Sequence, residues 1–178
     1  LLVSGDFGYP AHPRQRLGDP VPDLTARGDL GLLTLLKTAL FCSARCLANA
    51  ILAAYDEVTR LRDSGTCVIG GFHSPVEKDC LQILLRGNQP IIICPARAIE
   101  TMRVPTECRA AFDAGRILIL SPFTESPKRV TQERALRRNE FVAALADDAY
   151  IAHVTPGGQT ERIAGLLRLW HVPIKSSN

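Results

Sequence analysis

The chain has 178 residues, 46% hydrophobic and 22% charged, with a formal net charge of +3. That size and balance suit one globular domain with a real core, and the length is short for two. No apolar run approaches the roughly 18 residues of a membrane-spanning helix. Asp6, Pro10 and Pro13 argue against a secretory leader at the start.

All of the 21 basic residues except Lys37, Lys78, Lys128 and Lys175 are arginine. That bias suits flat, bidentate partners such as phosphate or carboxylate. Six cysteines (Cys42, Cys46, Cys67, Cys80, Cys94 and Cys108) contain no Cys-x-x-Cys pair and mostly lie in or beside apolar runs. They are expected to be reduced and packed as small hydrophobes in a cytoplasmic protein, with neither disulfide nor metal site. Because the chain opens at Leu1 rather than Met, part of the N-terminus is expected to lie before it.

Residues 1–36 are rich in proline, glycine and charge, and read as an extended lead-in ending in a short helix at Leu30–Leu36. From there the pattern alternates. Short apolar runs at Ala39–Cys42, Cys67–Ile69, Ile91–Cys94, Ile117–Leu120 and Tyr150–Val154, bounded by turn residues, predict parallel strands buried on both faces. Between them come helices. Leu47, Ile51, Leu52, Tyr55, Val58 and Leu61 keep a 3.6-residue period up to Ser64-Gly65. Val76–Leu85, Thr106–Ala114, Thr131–Leu145 and Thr160–Leu169 follow, and a last short strand is expected at Val172–Ile174. This order predicts an α/β fold, a Rossmann-like open, mostly parallel sheet with helices on both faces over 37–178.

In such sheets ligands sit beyond the carboxyl ends of the strands. The last of these turns, Pro156-Gly157-Gly158-Gln159-Thr160-Glu161, joins a strand to a helix. Glycines let the backbone come close, and a helix start with the Thr160 hydroxyl offers donors to a phosphate; a tight structural turn uses the same residues. After the first strand, Ser43-Ala44-Arg45 sets a hydroxyl and a guanidinium at a helix start, either to hold a phosphate or to cap and solvate. After the second come Gly70-Gly71-Phe72-His73-Ser74-Pro75-Val76-Glu77. Ser74 and Glu77 form a capping box, and His73 is a ligand contact or a plain loop residue. Cys94-Pro95-Ala96-Arg97 and Ser121-Pro122-Phe123 continue the rim. Phe123 either closes the core or stacks a base. Lys128, Arg129, Arg134, Arg137 and Arg138 are the densest basic stretch, opposed by Glu133 and Glu140. Arg134, Arg137 and Arg138 are expected to share one face or edge of a helix.

These segments resemble the DNA-processing protein A family (DprA, also called Smf), within the Rossmann-like nucleotide-sensing (SLOG) superfamily. Tyr9-Pro10, Pro22, Leu24 and Arg27-Gly28 are similar to the family's lead-in, and Ala39–Arg45 to its apolar strand ending in Gly-Ser-Arg. Residues 70–77 stand at its Ser-Gly-x-Ala-x-Gly-Ile-Asp motif, and 138–145 at its Arg-Asn-Arg-Ile-Ile-Ala-Gly-Leu. The resemblance implies a homodimer that binds single-stranded DNA, protects it and helps load a RecA-type recombinase, without enzymatic activity or a cofactor. It places Arg45 and Arg138 at DNA phosphates, with Gly70 and Gly71 allowing close approach; together with the strand-end turns, Ser43, Arg45, Gly70, Gly71, His73, Ser74, Arg138, Asn139, Gly157, Gly158 and Thr160 are the expected phosphate or nucleotide contacts. Gly70, Pro75, Glu77 and Glu140 depart from the pattern; Glu140 reverses a charge in the expected groove. No helical domain precedes and no winged helix follows, so a stand-alone central domain is expected.

Pro156-Gly157-Gly158 also resembles part of the Pro-Gly-Gly-x-Gly-Thr-x-x-Glu motif of Lonely Guy (LOG) phosphoribohydrolases, which release a base from a nucleoside monophosphate. On that alternative, Arg138 places the phosphate and Glu161 stabilises the sugar cation. The third glycine is absent and Glu161 directly follows Thr160, which moves the carboxylate on the helix. A further alternative is a scaffold that has lost its ligand.

Overall fold

A computed structural model describes residue 1 and residues 8–43, 46–125 and 129–176. Its centre is a seven-stranded sheet of order β1-β5-β4-β3-β2-β6-β7. The strands are β1 (Thr25–Gly28), β2 (Lys37–Phe41), β3 (Cys67–Gly70), β4 (Ile91–Ile93), β5 (Ile117–Ser121), β6 (Asp148–Ile151) and β7 (Ile174–Ser176). All neighbours run parallel except β1, which lies antiparallel along β5 with Thr25 opposite Ser121. The predicted Rossmann-like, mostly parallel sheet is the fold observed.

The short apolar runs become central strands because both of their faces are covered. Ala39, Phe41, Ile69, Ile92, Leu118, Leu120, Ala149 and Ile151 pack on one side with Phe141, Val142 and Leu145 of α5 (Gln132–Leu145) and Ile163 and Leu167 of α6 (Gln159–Leu169). The alternate residues Leu40, Val68, Ile91, Ile93, Ile117, Ile119 and Tyr150 face the other way. They meet Ala54, Val58 and Leu61 of α2 (Ala48–Asp63), Val76, Cys80, Leu81 and Leu84 of α3 (Pro75–Leu85), and Ala111 of α4 (Arg109–Asp113). The two-residue period of the strands thus feeds two cores of comparable make-up.

Residues 8–36 are built into this domain. A helix that the sequence pattern did not predict, α1 (Ala11–Leu17), packs on α5, and the stretch expected as a helix at 30–36 is a 3₁₀ turn over Leu30–Thr34. Arg16 Nη1 donates to the carbonyls of Ala144 (3.0 Å) and Ala146 (2.6 Å) at the end of α5. The Tyr9 hydroxyl donates to Pro22 O (2.8 Å). Lys37 Nζ, almost buried, donates to Leu33 and Leu35 carbonyls and lies 3.3 Å from Asp147. At Gly28, where β1 leaves β5, φ is +117° and an added Cβ would strike the Ile117 carbonyl, so only glycine fits.

The cysteines are free; Cys46 is half-buried and the rest are buried. Desolvation pushes the Cys94 thiol up to about 12, and Cys67 and Cys108 up to about 11. Such thiols are packing groups rather than nucleophiles at neutral pH.

Candidate functional site

From β2 the chain builds outward in one direction through β3, β4 and β5, then returns to the other side of β2 as β6 and β7. The reversal opens a crevice beyond the ends of β2 and β6, the usual ligand position in such sheets. Here the crevice is laced shut by the chain's own groups. The Ser43 and Thr155 hydroxyls hydrogen-bond across it at 2.9 Å. Thr155 N–H donates to Thr160 Oγ1 (3.2 Å), and Gly158 N–H to Thr155 O (2.9 Å). Gly157 N–H donates to Glu161 Oε2 (2.8 Å). Gly158 is the N-cap of α6.

The neighbouring turn is closed in the same way. The expected capping box forms: Glu77 N–H donates to Ser74 Oγ, and Ser74 N–H to Glu77 Oε2 (both 3.3 Å). The same carboxylate accepts from His73 N–H (2.9 Å) and, with Oε1, from Cys42 N–H at the end of β2 (3.2 Å). Glu77 is only 6% exposed. A buried carboxylate therefore engages three backbone N–H groups beyond the ends of β2 and β3.

The basic stretch departs from expectation. Arg134, Arg137 and Arg138 do not form one cationic face. Arg137 is exposed, Arg134 lies over the Phe123 ring at 4.6 Å and donates to Glu125 O, and Arg138 turns inward to 4% exposure. The reason is the helix period: Arg138 shares the stripe of Phe141, Val142 and Leu145 that faces the sheet. Phe123 itself is buried. Arg129 is exposed, whereas Lys128 and Arg45 lie outside the described residues.

Arg138 is held at the ends of β3 and β4. Its Nε donates to Asn139 Oδ1 (2.7 Å) and its Nη1 to Cys94 O (3.1 Å). Gly71 is required beneath it, since an added Cβ would fall on the guanidinium. Among the described residues no carboxylate lies within ion-pair distance of it. Burial lowers the Arg138 pKa from its ordinary value, and the charge of Glu77 nearby opposes that shift. Glu140, one residue on from Asn139, instead points to α6 and pairs with Arg162 (2.8 Å).

Arg138 borders a cavity of about 530 Å³ between α3, α5 and the loops after β3 and β4. Phe72, Leu81, Ile93, Met102 and Val130 contribute apolar wall, and His73, Lys78, Gln82, Arg97 and Glu107 its polar groups. The sequence pattern pointed to His73, Arg97 and Arg138 but missed Lys78 and Gln82. Their signal was present: they follow the cap Ser74 at four-residue steps, along one edge of α3.

The predicted residues thus separate. Ser43, Gly157, Gly158, Thr160 and Glu161 gather at the crevice, Gly71, His73 and Arg138 at the cavity with Asn139 fixing the Arg138 guanidinium, and Gly70, Ser74 and Glu77 between the two. Among the described residues no hydrogen bond or ion pair joins Arg138 to Glu161, whose carboxylate is committed to Gly157. No group of metal-ligating side chains gathers among the described residues, and no described helix is long and apolar enough to cross a membrane.

No protein-family model and no curated protein matches the chain. Solved structures do. DNA processing protein A (DprA) from Streptococcus pneumoniae superposes with a TM-score of 0.79 at 15% identity, covering 98% of this chain. This chain spans 61% of that one's length. DNA processing protein A from Helicobacter pylori, whose structure was described for its single-stranded DNA binding mode, gives 0.75 at 21% identity, over 94% of this chain and 76% of its own. At these identities the likeness is one of architecture: this chain carries the fold of DNA processing protein A over nearly all of its length.

Proposed function

We propose that the chain is a DprA-type module that binds single-stranded DNA at the strand ends, without catalysing a reaction. The observation that carries this reading is Arg138, a guanidinium fixed at the strand ends and facing a cavity whose lining includes Lys78, Arg97 and His73. Support comes from the shared fold and from the Helicobacter pylori protein, described for binding single strands. Because Glu77 and Glu161 engage the backbone donors of the turns, the phosphates are held by side-chain cations rather than by an amide nest. Arg45 adds a further contact by the family resemblance. By the same resemblance the module acts in the cytoplasm in DNA uptake or recombination, as a homodimer that passes its strand to a RecA-type recombinase.

The test is fluorescence anisotropy of a labelled single strand against salt. Engagement of Arg138, Lys78 and Arg97 with about three phosphates predicts a log–log slope of about −2. Arg138→Ala with Arg45→Ala should flatten the slope and weaken binding at every salt concentration. A strand that is not retained even at about 50 mM salt defeats the reading and leaves a scaffold without a ligand. Light scattering that gives a monomer, free and strand-bound, removes the dimer.

A further inference from the structure

A second cleft lies on the flank of the sheet, and it shares no lining residue with the cavity beside Arg138. It measures about 330 Å³ and is bounded by Arg27, Arg103, Val104, Arg109, Phe112 and Asp113. Three separate parts of the chain meet there. On β1, Ala26 packs with the core on one face of the sheet, so the two-residue period turns Arg27 to the other face, opposite Ile119 of β5. On α4, Arg109 and Phe112 are three residues apart and therefore neighbours on one side of the helix. Arg103 and Val104 come from the loop that runs from β4 towards α4.

The charge is one-sided. Three guanidiniums face one carboxylate, Asp113, and none of these groups makes an ion pair with a described residue. Arg103 and Arg109 are exposed. Arg27 is anchored: its Nη1 donates to Met102 O (2.9 Å), and its guanidinium lies over the Phe112 ring, 5.8 Å from the centroid. A side chain held in this way loses less freedom on meeting an anion. Like charges gathered around one recess repel one another, and an anion that enters relieves the repulsion.

Phosphates of a nucleic acid and carboxylates of a peptide both match guanidinium forks. The wall decides between them. Sequence-tolerant strand binding uses aromatic faces on which bases stack, and Phe112 has none to offer. Arg27 covers the ring on one side, and the ring packs against the core on this side of the sheet. What is left is Val104 and the edge of the ring, an apolar strip suited to an aliphatic side chain. The volume is at the small end of ligand pockets, with room for a few residues rather than a folded surface.

We propose that this cleft docks a short acidic peptide segment of a partner protein. Its carboxylates meet Arg103 and Arg109 beside the anchored Arg27, and an aliphatic side chain between them lies on Val104 and Phe112. The proposal stands apart from the strand-binding reading, and the two fail separately.

The experiment uses the full chain and a fluorescein-labelled peptide of repeated Glu-Leu-Asp units, read by anisotropy at about 50 mM salt. The same peptide with Gln and Asn in place of its acids should bind about tenfold more weakly, and the acidic peptide should weaken as salt rises. Arg103→Ala with Arg109→Ala should cost about tenfold in peptide affinity, while a labelled dA strand binds as it does to the wild type. Arg86→Ala with Arg168→Ala removes the same charge from exposed positions elsewhere and should leave peptide affinity within about twofold. All four of these arginines are exposed, so both double variants should melt as the wild type does. Asp113→Asn removes the one opposing charge and should tighten the peptide about two- to threefold. Equal peptide affinity in the wild type and the Arg103, Arg109 double variant overturns the proposal, as does equal affinity for the acidic and amide peptides. Loss of dA-strand binding in that variant, with or without loss of the peptide, assigns the cleft to a nucleic-acid path and overturns it too.

Discussion

Two regions at the same end of the sheet have opposite fates. The crevice between β2 and β6, where a doubly wound fold ordinarily receives its ligand, is filled from within by Glu77, Glu161 and the Ser43–Thr155 bridge. The space beyond β3 and β4 stays open, and there a buried guanidinium has donors to spare. Both regions hold a buried charge: both carboxylate oxygens of Glu77 are taken by backbone donors, whereas Nη2 of Arg138 makes no hydrogen bond to a described residue. The lesson is that the position of a site within a fold follows from which backbone and side-chain donors the chain leaves unused, not from topology alone.

The sharpest way to break this contrast is at Glu77. Removing the carboxylate by Glu77→Ala strands three backbone N–H groups and takes away the field that offsets Arg138. A loss of about 3–5 kcal/mol is expected by urea denaturation. Glu77→Gln, which keeps an acceptor oxygen, should lose clearly less. If the alanine variant unfolds at nearly the wild-type urea concentration, the crevice is not held shut by this carboxylate.

The open side is probed next by Gly71→Ala. The new Cβ would occupy the place of the Arg138 guanidinium, so that side chain must swing away. Overpacking of this kind costs about 1–3 kcal/mol, and strand affinity should fall about tenfold or more for want of the displaced donor. A variant that folds and binds strands as before would detach Arg138 from the site.

How much of this was legible in the sequence differs between the two regions. The strands were readable because runs such as Ile91–Ile93 and Ile117–Ser121 are apolar on both faces. The Ser74–Glu77 capping box was readable because it is local. That the second oxygen of Glu77 would reach Cys42, 35 residues away, depends on β2 and β3 being neighbours, and no spacing reveals it. Helix α1 escaped because Pro13 and the neighbouring charges mask a helix of about two turns whose support comes from α5. The inward turn of Arg138 could have been counted from its place on the Phe141–Leu145 stripe, but the neighbouring cations suggested one shared face or edge with Arg134 and Arg137.

A pH experiment tests the strand end that holds Arg138. Cys94, whose carbonyl accepts from Arg138, has its thiol pushed from 9.0 to about 12 by complete burial, with Arg138 pulling weakly the other way. A pKa raised on folding favours the protonated fold. The contribution is complete below about pH 9 and is lost as pH climbs towards 12. The urea midpoint should therefore fall between pH 8 and pH 10, and less so in Cys94→Ala. A slope that is identical in the two proteins would mean that the thiol is not sealed beneath the guanidinium.

The smallest effect is expected at Glu140. Its pairing with Arg162 joins α5 to α6 on the surface, and exposed pairs contribute about 0–1 kcal/mol. Glu140→Arg should therefore change the melting temperature little. It restores the cation that the family resemblance places there, and it frees Arg162 beside it. If a strand bound at the cavity continues across the α5–α6 junction, one added phosphate contact steepens the log–log salt slope by about 0.7. If the slope is unchanged while dA strands still bind, the path turns away over α3, and Glu140 serves only to tie α5 to α6.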